Sequence, residues 1–219
     1  MLVADKIPNP YDTEFKWNEE DPFLGTKPEF GYVPILEQEG NEAFYWLWPC
    51  LENKNAPVLV TMAGGPGCPA MYKIFNGNSP LSIDEEAKEF VKNEDALSNK
   101  CHMLYIENPV GSGYSVAKTS IENFKMNCES MEELFAHLLS KYPEWKDSDW
   151  YWNGESFCGF SIPSNAWNLS EKYKLKLKGV ILECPVMDNQ LNFQPEYYSR
   201  LLKKYKVWDG CVHKCCCMP

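Results

Sequence analysis

The chain has 219 residues, of which 44% are hydrophobic and 14% aromatic, enough apolar material for one domain with a buried core. Its formal net charge of −10 at pH 7 argues against binding to nucleic acid or to an anionic membrane surface. No apolar run approaches the length that crosses a bilayer. We therefore expect a globular domain with no nucleic-acid partner and no membrane span.

The first quarter of the chain predicts an irregular arm followed by a β-hairpin. Residues 1–27 are rich in Pro, Asp and Glu, which predicts an irregular arm. The stretches Glu29 to Ile35 and Glu42 to Trp48 predict two strands joined by a tight turn. The apolar run from Pro57 to Met62 then predicts the first strand of a central sheet, and a glycine-rich turn follows it.

Predicted strands and helices alternate in the rest of the chain, which is the order of an α/β fold. After the strand at 57–62 the sequence predicts a solvated acidic helix at 83–93, a strand at 102–107, an amphipathic helix at 121–141, a strand at 150–153, a helix at 157–171 and a strand at 179–183. No repeat or low-complexity linker interrupts this order. We therefore assign one domain, residues 28–205, between the arm at 1–27 and a cysteine-rich tail at 206–219.

A glycine-flanked serine, Ser156 in the run Gly-Glu-Ser-Phe-Cys-Gly at 154–159, follows the aromatic strand at 150–153. A strand that turns sharply at such a serine exposes its oxygen and aims the next backbone N–H at an oxyanion. Serine beside glycine is common in loops, so the hexapeptide alone is a weak signal. Two other motifs precede it in order, Gly-Gly-Pro-Gly-Cys at 64–68 and Glu-Asn-Pro-Val-Gly-Ser-Gly-Tyr-Ser at 107–115.

These three motifs, with the strand that follows them, resemble the serine carboxypeptidase family of α/β-hydrolases from about Gly31 to about Tyr198. The resemblance implies a truncated α/β-hydrolase fold, with a mixed, mostly parallel sheet, flanking helices and the N-terminal β-hairpin. It implies a hydrolase that acts on peptide C-termini and needs no cofactor.

The resemblance also implies the roles of five site residues. Ser156 would be the nucleophile, and the N–H groups of Gly65 and Phe157 would form the oxyanion hole. Glu155 and Gly64 would bind the substrate, with Glu155 helping to hold the free carboxylate of the peptide.

The chain departs from the family pattern beside this site. The position of the family's carboxylate-binding asparagine is Ala63, and two small hydroxyl residues are replaced by Pro69 and Ala70. Losing one hydrogen bond to a charged group costs roughly 1.5–3 kcal/mol. We therefore expect weakened recognition of a peptide carboxylate.

The chain also lacks a recognisable acid and base for the serine. Hydrolases of this fold carry Asp and His after the nucleophile, and the family's pair lies beyond strands that this sequence does not contain. Asp188 matches a non-catalytic aspartate, His213 lies in the cysteine-rich tail, and His102 and His137 precede the elbow. Since a serine without a base is a poor nucleophile, we expect the isolated chain to be inactive.

Ten cysteines are many for a chain of this length. Cys158 and Cys184 lie at positions that predict buried free thiols. Four cysteines of the tail and His213 resemble a zinc ligand set, but three of those cysteines are adjacent and no Cys-x-x-Cys pair is present, so we predict no metal site. No signal peptide is recognisable, which leaves the compartment open and favours an intracellular location over the family's usual lysosomal or secreted one.

Three hypotheses follow from the sequence. The chain is a catalytically inactive structural subunit of a larger protein assembly, or a carboxypeptidase whose Asp and His come from a second chain or a missing C-terminal half, or a truncated gene product. Ala63 and Pro69 favour the first, whereas the retained elbow favours the second or third. For a chain held in a complex, we predict that another subunit covers the sheet edge near 179–183 and the tail from Trp208, rather than the tail folding back over that edge.

Overall fold

A central β-sheet organises the part of the chain that the structure describes. This computed structural model describes residues 20–21, 23–35, 40–75, 79–84, 86, 88–119, 121, 123–188 and 204. In chain order its elements are β1 (Glu29–Ile35), β2 (Asn41–Trp48), β3 (Val58–Met62), a 3-10 helix (Ala70–Phe75), β4 (Leu81–Asp84), β5 (Glu89–Lys92), a 3-10 turn (Leu97–Asn99), β6 (His102–Ile106), α1 (Phe124–Lys141), a second 3-10 turn (Pro143–Asp147), β7 (Asp149–Glu155), α2 (Cys158–Tyr173) and β8 (Lys176–Glu183). The predicted tail at 206–219 and most of the predicted arm at 1–27 lie outside the described residues.

Six of the strands form one sheet in the order β1-β2-β6-β3-β7-β8. β1 and β2 form the predicted antiparallel hairpin, and β2 also pairs antiparallel with β6. The pairs β3–β6, β3–β7 and β7–β8 are parallel. The loops that follow β3, β6, β7 and β8 therefore leave the sheet at the carboxyl ends of these strands. The motifs at 64–68 and 107–115 and the candidate serine meet there.

The two long helices cover one face of the sheet. Along β7, Trp150 and Trp152 point into this core while the alternate residues of the strand are only partly buried, as the period of two requires. The ring of Phe135 from α1 stacks on the ring of Trp152, with centroids 5.4 Å apart and planes at 8°. This aromatic packing joins α1 to β7, the strand that leads into the turn before α2.

The opposite face carries the 3-10 helix Ala70–Phe75 and the small β4–β5 ribbon. A second core forms there from Met71 and Ile74 of that helix, Leu81 of β4, and Met103 and Tyr105 of β6. The short helix is thus fixed over the carboxyl end of the sheet by its own apolar side chains.

The helix predicted at 83–93 is absent, because this stretch belongs to the antiparallel pair β4–β5. The Asp84 side chain accepts a hydrogen bond from the N–H of Glu86 at 2.9 Å, and Lys88 adopts a left-handed φ of 53°. Both features make a turn between the strands. The ring of Phe90 then stacks on Phe75 at 5.4 Å, which ties the ribbon to the short helix.

Helix α1 begins at Phe124, three residues after the predicted start at Ile121. The side chain of Asn123 accepts a hydrogen bond from the N–H of Met126 at 3.0 Å. This N-cap satisfies one of the free N–H groups of the first turn and therefore sets the start of the helix. None of the described helices is long and apolar enough to span a bilayer.

Strand β8 forms the outer edge of the sheet, because within the described residues it pairs with β7 alone. Val180 and Ile181, at its centre, are 41% and 52% exposed. The edge that the sequence predicts near 179–183 is therefore present, and two apolar side chains are exposed at its centre.

Candidate active site

Ser156 lies at the sharp turn between β7 and α2. Its φ is 51°, in the left-handed region that few residues other than glycine adopt. The N–H of Ser156 donates to the carbonyl of Glu183 at 2.9 Å, and its carbonyl accepts from the N–H groups of Gly159 at 3.0 Å and Val186 at 2.8 Å. These bonds hold the strained residue in place, and the predicted strand-to-helix elbow is present.

The glycine-rich loop after β3 lies against this elbow. A β-carbon on Gly64 would lie 2.8 Å from the carbonyl oxygen of Glu155, 2.9 Å from Cβ of Ser156 and 3.4 Å from the N of Phe157. Only a residue without a side chain permits that approach. The loop backbone is therefore close to the predicted nucleophile and to the first N–H of the following helix, while the roles of the Gly65 and Phe157 N–H groups in an oxyanion hole stay a prediction.

We predict that Gly64→Ala destabilises the protein by about 1–3 kcal/mol, because the new methyl group meets backbone and Cβ atoms that cannot easily move. Urea unfolding measures the change. Gly179→Ala is the matched control, since its β-carbon would meet the Tyr151 ring at an ordinary 3.5 Å. An equal loss in both variants would contradict the close packing of the loop on the elbow.

The carboxylate of Glu155 is already occupied by two side chains of the short helix. The hydroxyl of Tyr72 donates to its Oε1, and the Lys73 ammonium lies 3.5 Å from its Oε2. The same ammonium lies 3.7 Å from Oε1 of Glu183, which also accepts from the Asn153 amide at 2.7 Å. Only 9% of the Lys73 side chain is exposed, so a buried lysine joins the two glutamates on either side of the elbow.

Sequence reasoning missed Tyr72, Lys73 and Glu183. One signal for Glu183 was available, because Glu155 and Glu183 end neighbouring parallel strands and are register partners. Tyr72 and Lys73 follow the Gly-Gly-Pro-Gly-Cys motif closely, but nothing in their spacing shows which way the short helix turns.

The second motif anchors the short helix through Glu107. Its side chain is 1% exposed and accepts hydrogen bonds from the N–H groups of Ala70 at 2.8 Å and Met71 at 3.3 Å. Burial raises the pKa of Glu107, and these two N–H donors oppose that shift. A β-carbon on Gly113 would lie 2.3 Å from the Glu107 carboxyl carbon, so the glycine makes room for the carboxylate. The motif thereby fixes the start of the helix that carries Tyr72 and Lys73.

No histidine of the described chain forms a hydrogen bond with Ser156. His102 is buried at the other end of its strand, where its Nδ1 accepts from the N–H of Cys50 at 3.1 Å and its Nε2 lies 3.2 Å from the Lys54 carbonyl. Burial lowers the pKa of His102 and therefore favours its neutral form, while the bond to the Lys54 carbonyl opposes this shift. His137 lies on the exposed side of α1, and His213 lies outside the described residues.

The two cysteines predicted to be buried differ in environment. Cys158 is buried as predicted, its thiol donates to the carbonyl of Ala63 at 3.2 Å, and burial raises its pKa to about 11. The prediction for Cys184 is wrong, because this residue is exposed just beyond the edge strand β8. Among the described residues, no group of three or more His, Cys, Asp or Glu side chains is placed to hold a metal ion.

Comparison with known proteins identifies the family of this site. The family model for serine carboxypeptidases matches residues 18–217. The chain belongs to the serine carboxypeptidase family. Serine carboxypeptidase-like 26 of Oryza sativa subsp. japonica is 30% identical over 199 residues, covering 83% of this chain and 39% of that protein. The venom serine carboxypeptidase of Apis mellifera is 29% identical over 181 residues, covering 77% of this chain and 38% of that protein.

A solved structure shows the same fold. The prohormone-processing carboxypeptidase Kex1(delta)p from Saccharomyces cerevisiae superposes with a TM-score of 0.70 at 22% identity, over 86% of this chain and 44% of its own. The predicted α/β-hydrolase fold is confirmed. The chain spans less than two-fifths of the length of the two curated carboxypeptidases.

Proposed function

We propose that this member of the serine carboxypeptidase family supplies the nucleophile part of the family's site, is inactive as an isolated chain and works as a subunit of a larger protein assembly. The observation that supports this is an ordered elbow at Ser156 with no hydrogen bond to a described histidine. A serine hydroxyl is barely ionised at neutral pH, and it needs a base to attack a carbonyl. Without its triad partners such a site retains only the small effect of its oxyanion donors and of substrate binding.

The edge strand β8 supports a role in an assembly. Its outer row of backbone N–H and C=O groups has no strand partner within the described residues, and its centre exposes Val180 and Ile181. Such an edge pairs readily with another chain. The partner we propose is a second polypeptide that adds a strand to β8 and covers these apolar side chains.

The second candidate function is a serine-type carboxypeptidase whose Asp and His come from outside the described residues. The left-handed φ of Ser156 and the close approach of Gly64 favour it, because both suit a working nucleophile elbow. In that case Ser156 attacks the peptide, the N–H groups of Gly65 and Phe157 hold the oxyanion, and Glu155 and Gly64 line the substrate site.

We predict that the purified 219-residue chain releases no C-terminal residue from a blocked dipeptide above the level of its Ser156→Ala variant. Light scattering on the same sample is expected to show association, which substitution of Ile181 by lysine reduces because a charge on an edge strand opposes pairing. Turnover that depends on Ser156 would favour the second candidate. A monomer with one cooperative unfolding transition would contradict the assembly.

A further inference from the structure

The charged side chains around Ser156 carry more negative than positive charge, whereas a free carboxylate binds best where positive charge is in excess. Glu155 precedes the serine, and the carbonyl of Glu183 accepts the serine N–H, so the two glutamates flank the nucleophile. Lys73 lies between their carboxylates, at 3.5 Å and 3.7 Å. One ammonium and two carboxylates leave a formal surplus of one negative charge.

Both oxygens of Glu155 already have a partner within the protein. Oε1 accepts from the Tyr72 hydroxyl, and Oε2 faces the Lys73 ammonium. Lys73 cannot readily turn towards a ligand either, because its side chain is 9% exposed and stands on the helix that Glu107 holds in place. Ala63, at the end of β3, contributes no side-chain donor.

We propose that the surplus negative charge of Glu155 and Glu183, which Lys73 offsets only in part, makes the site beside Ser156 selective for ligands with an uncharged terminal group, an amide or an ester, over ligands that end in a free carboxylate. A carboxylate placed here adds a second uncompensated negative charge and meets no free donor on Glu155 or Ala63. An amide or ester terminus brings no charge and avoids this repulsion. The inference rests on the proposed function only in taking the surroundings of Ser156 as the ligand site.

The test is calorimetric binding of a matched ligand pair to the full chain carrying Ser156→Ala, which cannot turn over either ligand. The pair is one N-blocked dipeptide in its free-acid form and in its C-terminal amide form, at pH 7 and low salt. We expect the amide to bind at least about fivefold more tightly than the acid.

Charge variants in the same background separate the proposal from a general effect of charge. Glu183→Gln removes the surplus charge and is expected to raise affinity for the acid roughly fivefold to tenfold, while Lys73→Gln lowers it by a similar factor. Affinity for the amide stays within about twofold in both. Glu171→Gln is the control, since it removes the same formal charge from an exposed pair with Lys174 at the end of α2.

Acid binding as tight as amide binding, or tighter, would overturn the proposal. So would an acid-to-amide ratio that does not change between Glu183→Gln and Lys73→Gln, or a failure of both ligands to bind. Peptidase turnover by the unmodified chain would contradict the proposed function and leave this ratio unaffected, so the two failures are distinguishable.

Discussion

Replacing Trp152 with alanine is expected to lower the free energy of unfolding by about 3–5 kcal/mol. Trp152 is 1% exposed, lies in β7 between β3 and β8, and stacks on Phe135 of α1. Its removal leaves a cavity between the sheet and α1. The loss is a large part of the roughly 5–15 kcal/mol that stabilises a typical domain.

Urea unfolding of the two proteins measures this effect. Trp167→Ala is the matched control, because the same substitution is made on a helix position that is 63% exposed. The control is expected to change stability by no more than about 0.5 kcal/mol. Equal losses in the two variants would show that the core between β7 and α1 is not packed as described.

Replacing Glu107 with alanine is also expected to have a large effect, lowering the free energy of unfolding by roughly 2–4 kcal/mol. The substitution removes the acceptor of two backbone N–H groups, at Ala70 and Met71, and leaves both donors buried. The short helix then loses its anchor, and with it the fixed placement of Tyr72 and Lys73 on Glu155.

Thermal unfolding and urea titration measure the stability of this variant, and Glu171→Ala, an exposed glutamate, is its control. Glu107→Gln retains one acceptor oxygen and is expected to lose less than Glu107→Ala. A Glu107→Ala protein as stable as the Glu171→Ala control would contradict the anchoring role of the second motif.

Local sequence patterns predicted the parts of the fold that neighbouring residues determine. The hairpin β1–β2, the strands β3 and β6 and the elbow at Ser156 all follow from short apolar runs that end in glycine or proline. The aromatic run at 150–153 likewise predicted the strand β7.

Features that depend on distant residues were not predictable in this way. The stretch 83–93 is acidic and suggested a solvated helix, but a turn at Asp84 and Lys88 and the stacking of Phe90 on Phe75 make it a two-stranded ribbon. The bridge from Lys73 to Glu155 and Glu183 joins three separate segments of the chain. This bridge depends on the orientation of the short helix. Glu107, which belongs to a fourth segment of the chain, sets that orientation through its bonds to the N–H groups of Ala70 and Met71.

Covalent labelling of Ser156 tests the central claim of the proposed function, that the nucleophile elbow has no base to activate its serine when the chain is isolated. The purified chain is incubated at pH 7 with a fluorophosphonate probe, and intact mass is compared with that of the Ser156→Ala variant. Cys158 is not expected to compete, since it is buried and its pKa is raised to about 11. We predict that labelling of the parent does not exceed that of the variant. Stoichiometric labelling of the parent that Ser156→Ala abolishes would show that a base reaches the serine, and would contradict the claim.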